Sequence, residues 1–206
     1  MSSGERVVET STQPGTTPMR LNLVRTSRWA QPEIVQQAAT AFKHALDVAR
    51  DLDEHEDIVT LLLGAAQVID EFGLAAFEAT GLGQSQPWPS DVFGEFSMIA
   101  EDLPDVIDAV LAGRETELGF HEQGCARSVR LQPADGVVLV SGGEVLFDGR
   151  PWEPHQPCPT DIHELATMLQ ELVAVFADMV VDLHPDVAHI ADFQEWRTPR
   201  IPSQRP

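Results

Sequence analysis

The chain has 206 residues, of which 43% are hydrophobic and 22% are charged, so it is long enough and apolar enough to bury one sizeable core. Its 33 acidic residues against 13 Lys and Arg give a formal net charge of −20, which argues against direct nucleic-acid binding because phosphate contacts need clustered cations. Neither a membrane-spanning apolar stretch nor an apolar signal sequence is apparent, so a cytoplasmic protein without a membrane partner is expected.

The chain begins with a polar leader. Residues 1 to 18 are rich in Ser, Thr, Gly and Pro, and little in them can be buried, so this segment is predicted to be disordered. Leu21 and Leu23 then alternate with polar neighbours, which predicts a short strand or an extended arm. A helix is predicted to begin at Pro32, because proline suits a first turn, and to run to about Arg50 with apolar residues every three to four positions.

An acidic cluster separates this helix from the next one. Its carboxylates are Asp51, Asp53, Glu54, Glu56 and Asp57. The second helix is predicted from Asp57 to Thr80, where Gly81 can end it, and it is apolar on nearly all faces, which is typical of a central helix. Residues 31 to 113 contain sixteen acids and only two basic residues, a net charge of −14.

A loop from Gly81 to Ser90 holds two glycines, two prolines and Trp88. Two shorter helices are predicted after it, one capped by Ser90 and one beginning at Pro104. A tryptophan framed by prolines either packs on the core or anchors a partner, so the loops around Trp88 and Trp152 are ranked first as contact surface.

The hydrophobic pattern changes at about residue 127. From there the apolar residues alternate with polar ones or are β-branched, which is typical of strands. Turn sequences at residues 133–136 and 142–143 divide the stretch into a three-stranded antiparallel β-meander over about residues 127 to 148. A lone meander is only marginally stable. The predicted fold class is therefore α+β, a mostly helical body with this small sheet packed on the helices.

The rest of the chain is predicted as a proline-rich loop over residues 150 to 160, a long helix and a tail. Thr160 and Asp161 cap the helix. Its apolar stripe has helical spacing and consists of Ile162, Leu165, Leu169, Val173, Phe176 and Val180. Residues 197 to 206 form a proline-rich tail, which leaves residues 19 to 196 as a single acidic domain.

One arrangement of side chains suggests a metal. His121 and Cys125 precede the predicted meander, and His155 and Cys158 follow it, so the sheet could bring two imidazoles and two thiolates into one tetrahedral zinc site. The spacing departs from the usual tight CxxC knuckle, and two cysteines in a cytoplasmic chain are more commonly small buried hydrophobic residues. The first expectation is therefore no cofactor, with zinc as the alternative.

Signatures of catalysis are missing from the sequence. It has no phosphate-binding GxxxxGK[ST] loop and no GxSxG nucleophile elbow. Thr167 also stands where a zinc-protease HExxH helix starting at His163 needs its second histidine. An enzyme is therefore the less favoured class.

An acidic body without catalytic motifs favours a protein-binding domain. The sharper hypothesis is an inhibitor of the immunity-protein or antitoxin type, which covers the functional surface of a basic partner protein with carboxylates. Its predicted contacts are the acidic cluster with Trp88 and Trp152. The alternatives are the zinc-binding protein and an acidic mimic of nucleic acid, which needs carboxylates in rows at phosphate-like spacing.

Overall fold

The computed structural model describes residues 18–51, 57–82, 90–122, 125–146 and 156–201, and within these ranges helices and strands are mixed, which confirms the α+β class. The strands form one two-stranded and one four-stranded sheet. In chain order the elements are β1 (Arg20–Arg25), a 3-10 turn (Ser27–Ala30), α1 (Pro32–Asp51), α2 (Ile58–Glu71), β2 (Ala75–Thr80), a π-helical turn (Val92–Phe96), α3 (Ser97–Ala100), α4 (Leu103–Leu111), β3 (Thr116–Glu122), β4 (Cys125–Ala134), β5 (Val137–Leu146), β6 (Cys158–Asp161), α5 (Ile162–Leu183), a second 3-10 turn (Pro185–His189) and α6 (Ala191–Trp196). None of the helices in the described ranges is both long and apolar enough to cross a membrane.

The helix predicted for residues 57–80 is wrong in its second half. α2 ends at Glu71 because Gly73 adopts a left-handed conformation (φ +59°) that turns the chain. The Leu74 N–H then donates to the Ile69 carbonyl at 2.8 Å, which satisfies one of the last carbonyls of the helix. This turn redirects the chain into a strand.

The strand after this turn is β2, which pairs antiparallel with β1 so that Phe77 lies opposite Leu23. This pairing confirms the strand predicted from the alternation around Leu21. In β2 the buried side chains also recur at every second residue, and they are Ala75, Phe77 and Ala79. The two strands therefore share one apolar face, which packs on the helices.

The predicted three-stranded meander is wrong in its strand count, because the sheet has four antiparallel strands in the order β3-β4-β5-β6. Residues 142–143, predicted as a turn, lie inside β5. The register moves from Arg127 opposite Val145 to Val129 opposite Gly142, so β5 holds one extra residue in a β-bulge, a place where glycine is common. The predicted third strand is thus the end of β5, and β3 and β6 lie on either side of the β4-β5 pair.

α5 lies at the centre of the core, as its apolar stripe predicts. Asp161 caps it by accepting hydrogen bonds from the backbone N–H groups of His163 and Glu164 at 2.8 and 3.0 Å. Phe176 is fully buried in the middle of the helix, with its ring centroid 4.9 Å from that of Phe96. The core therefore joins α5 to the segment that leads into α3.

α6 closes the core from the C-terminal side. The Trp196 ring packs edge-on against Phe176 at 6.2 Å, and its indole Nε1–H donates to the Ala100 carbonyl at 2.8 Å. Beyond α6 the Arg200 backbone N–H donates to Gln170 Oε1 at 2.8 Å. The predicted leader before Pro18 and the predicted tail after Ile201 lie outside the described residues.

Candidate functional site

An open cleft of about 710 Å³ runs between α4 and strands β3 and β4. We call it the acidic cleft. Its lining residues are Asp102, Asp105, Val106, Asp108 and Ala109 on the helical side, and Arg114, Glu115, Thr116, Glu117 and Arg130 on the sheet side. Five carboxylates therefore face two guanidinium groups, a net charge of −3 around one concavity.

The helical wall follows from the amphipathic pattern of α4. Val106, Ile107 and Val110 are buried against the core. Asp105 and Asp108, three residues apart, share the exposed face of the helix, one turn beyond Asp102. Because the apolar face of α4 is buried, its carboxylates lie in a row on the face exposed to solvent.

The sheet wall follows from the alternation of β3. Leu118 and Phe120 are buried, so Glu117 lies on the opposite, exposed face of the strand. The register places Glu117 opposite Arg130 on β4. An acid and a base therefore stand side by side on this wall.

Two of the five carboxylates that line the acidic cleft lie within ion-pair distance of an arginine. Glu115 Oε1 lies 4.0 Å from Arg130 Nε, and Asp108 Oδ2 lies 3.5 Å from Arg200 Nε. The three other carboxylates have no ion-pair partner among the described residues, and they are Asp102, Asp105 and Glu117. These three charges are available to a cation from outside.

Glu101 lies between the acids of the cleft and the start of α2, and the negative charges of both act on its carboxyl group. Partial burial raises the pKa of Glu101, and the negative charges of Asp102, Asp57 and Asp105 raise it further. Asp57 is the N-cap of α2, where its Oδ1 accepts a hydrogen bond from the Val59 N–H at 3.1 Å. One continuous negative field therefore extends from α2 to α4.

We expect Glu101→Gln to stabilise the protein at pH 7 and to have little effect at about pH 4. Because the folded state raises the pKa of Glu101 above its ordinary 4.5, folding disfavours the charged form. This cost is present above the folded-state pKa and disappears below 4.5, where both states are protonated. Since the side chain is exposed, the gain should stay below about 1 kcal/mol. Urea unfolding at the two pH values measures it.

The matched control for this prediction is Glu171→Gln, which removes one carboxylate from the exposed face of α5, outside the cluster around Glu101. An equal gain from both variants at pH 7 would mean that only the net charge matters, and the local field at Glu101 would then be ruled out as the cause.

Only some of the residues predicted to contact a partner protein lie in the part of the chain that the structure describes. Asp57 is described as the N-cap of α2, and Asp51 ends α1, although its side chain lies outside the described residues. The remaining predicted contacts also lie outside them, namely Asp53, Glu54, Glu56, Trp88 and Trp152. Asp57 is thus the one predicted contact whose side chain can be placed, and it belongs to the field around the acidic cleft.

The zinc hypothesis is only partly within the described chain. His121 and Cys125 stand on β3 and β4 next to the hairpin between these strands, but their side chains and the whole of His155 lie outside the described residues. Cys158, on β6, is buried, and burial raises the pKa of its thiol.

The strand register argues against a single four-ligand zinc site. Cys158 lies opposite Val140 on β5, which lies opposite Leu131 on β4. Leu131 is six residues from Cys125, or about 20 Å along the strand. Across the described ranges no group of three or more His, Cys, Asp and Glu is placed to hold a metal ion. Zinc binding by these residues stays a prediction.

The acids of the cleft were not singled out from the sequence, although part of the signal is present there. Asp102, Asp105 and Asp108 repeat every three residues opposite an apolar stripe, which predicts one exposed acidic helix face. The sequence does not reveal that Glu117 lies across from this face, because β3 itself was not predicted.

Comparisons of the chain with protein-family models, with curated proteins and with solved structures found no match.

Proposed function

We propose that the protein is a non-enzymatic binding domain that holds a basic protein in its acidic cleft, as an inhibitor of the immunity-protein or antitoxin type holds its target. The observation that carries this proposal is the set of three unpaired carboxylates inside one concavity, Asp102, Asp105 and Glu117. Charges held in a concave surface concentrate the field and attract cationic partners.

Electrostatic attraction raises the association rate more than it raises the affinity. The net charge of −20 steers a basic partner from a distance, while the cleft selects the side chains that can enter. Lys or Arg side chains of the partner would pair with the unpaired acids that line the cleft. The shape of the cleft thus supplies specificity that net charge lacks.

The test compares two triple variants as bait in the native host extract. The cleft variant carries Asp102→Asn, Asp105→Asn and Glu117→Gln. The control variant carries Glu33→Gln, Glu171→Gln and Asp178→Asn, three exposed acids that do not line the cleft. Both change the net charge from −20 to −17, so any difference between them reports on position.

We expect the wild type and the control variant to capture the same basic protein, and the cleft variant to associate with it on the order of tenfold more slowly at low salt. Binding should weaken between about 50 and 500 mM salt, because screening shortens the reach of the charges. A neutral or acidic partner that binds equally well at both salt concentrations would contradict the proposal. If the captured protein binds DNA or RNA, that result would support the alternative that this protein is an acidic mimic of nucleic acid.

A further inference from the structure

Arg200 lies next to one carboxylate of the acidic cleft, in addition to Arg114 and Arg130, which line it. Its Nε is 3.5 Å from Asp108 Oδ2 on the helical wall. Its backbone N–H is fixed by the hydrogen bond to Gln170 Oε1 on α5 at 2.8 Å, and Ile201 packs against the core beside it. The segment after α6 therefore places a guanidinium group against a cleft carboxylate.

The contact between Arg200 and Asp108 is close but not optimal. The Arg200 side chain is 22% exposed, and its Nε is buried without a well-aligned hydrogen-bond acceptor. The Asp108 side chain is 50% exposed, so its carboxylate is still accessible from the cleft. A buried donor without good alignment gives up much of the stabilisation of a charged hydrogen bond. An aligned cation from outside can therefore compete for Asp108.

We propose that Arg200 is an internal cationic ligand of the acidic cleft, and that an arginine of the basic partner competes with it for Asp108. This inference rests on the proposed function and adds a regulatory element to it. While Arg200 occupies Asp108, the cleft offers three unpaired carboxylates; when Arg200 is displaced, it offers four. The partner and Arg200 thus compete for Asp108, so the presence of Arg200 lowers the affinity of the cleft for the partner.

The test measures binding of a fluorescent hexa-arginine peptide to the full chain at low salt, by anisotropy. Arg200→Gln removes the internal cation and keeps the backbone hydrogen bond to Gln170. Arg197→Gln is the matched control, because it removes the same charge from the same segment, where Arg197 lies 5.6 Å from the Phe193 ring. Arg200→Met, which keeps the apolar stem, replaces Arg200→Gln if the latter lowers the unfolding midpoint.

We expect Arg200→Gln to bind the peptide about two- to fivefold more tightly than Arg197→Gln, the range for release of a partly exposed ion pair. In an Asp108→Asn background the difference between the two variants should vanish, because the competition has no target. Equal affinities of Arg200→Gln and Arg197→Gln would overturn the inference but leave the proposed function intact. Failure of every variant, including the wild type, to bind the peptide would count against both.

Discussion

We expect Phe176→Ala to lower the free energy of unfolding by about 3 to 5 kcal/mol, because it empties a fully buried site that the structure cannot refill. The ring packs against Phe96 at 4.9 Å and Trp196 at 6.2 Å between centroids. Loss of Phe176 therefore removes the contact that joins α5 both to α6 and to the segment before α3.

The matched comparison is Phe72→Ala, the same chemical change at the end of α2. The hydrophobic periodicity places Phe72 in the core as well, but the structure leaves it only partly buried. Chemical unfolding should therefore give a clearly smaller loss for Phe72→Ala than for Phe176→Ala. Equal losses would mean that the centre of the core lies elsewhere than at α5.

Gly81→Ala is expected to cost about 3 kcal/mol or more, since it combines backbone strain with a clash. Gly81 has a φ of +94°, and a Cβ at this position would lie 2.3 Å from the Pro18 carbonyl oxygen. Relief of the clash requires the backbone before β1 to move, which disturbs the pairing of β1 with β2. The midpoint of thermal unfolding measures the effect.

The control for this prediction is Gly113→Ala. Gly113 also has a positive φ, +63°, but a Cβ there would meet nothing within 4 Å. It should cost only the conformational strain, about 1 to 2 kcal/mol. A loss for Gly81→Ala no larger than that for Gly113→Ala would show that the chain before β1 yields easily.

The long helices could be predicted because burial repeats along them without interruption. Pro32 starts α1 and Asp161 caps α5 as the sequence indicates, and the stripe from Leu165 to Val180 is the buried face of α5. Each of these helices is long enough for the helical repeat of its apolar residues to be recognised in the sequence. A terminal cap and a long stripe are both local signals.

The strands were harder to predict because their residues suit more than one structure. Ala75, Ala76 and Ala79 fit a helix as readily as a strand, and only the pairing with β1 decides the outcome. Gly142 marks a bulge in one long strand, where the same residue type is common in turns. Pairing between distant strands cannot be predicted from any short window of sequence.

The candidate site was predictable in charge but not in place. Composition indicates an acidic body, and the charge of Asp57 is one of those that raise the pKa of Glu101 beside the cleft. The concavity itself exists because β3 lies across from α4, a long-range arrangement that spacing does not encode. For the same reason the ion pair between Arg200 and Asp108 has no sequence signal.

The hydrogen bond between Trp196 and Ala100 has a consequence for biosynthesis. The two residues are 96 positions apart, so at translation rates of 5 to 20 residues per second roughly 5 to 20 s pass between their synthesis. Until α5 and α6 are made, Phe96 and Ala100 lack the Phe176 ring and the Trp196 indole that contact them in the finished fold, and the nascent chain carries an unfinished apolar surface on the ribosome. We expect the yield of this protein to depend on elongation speed and on chaperone access, even where the finished fold is stable.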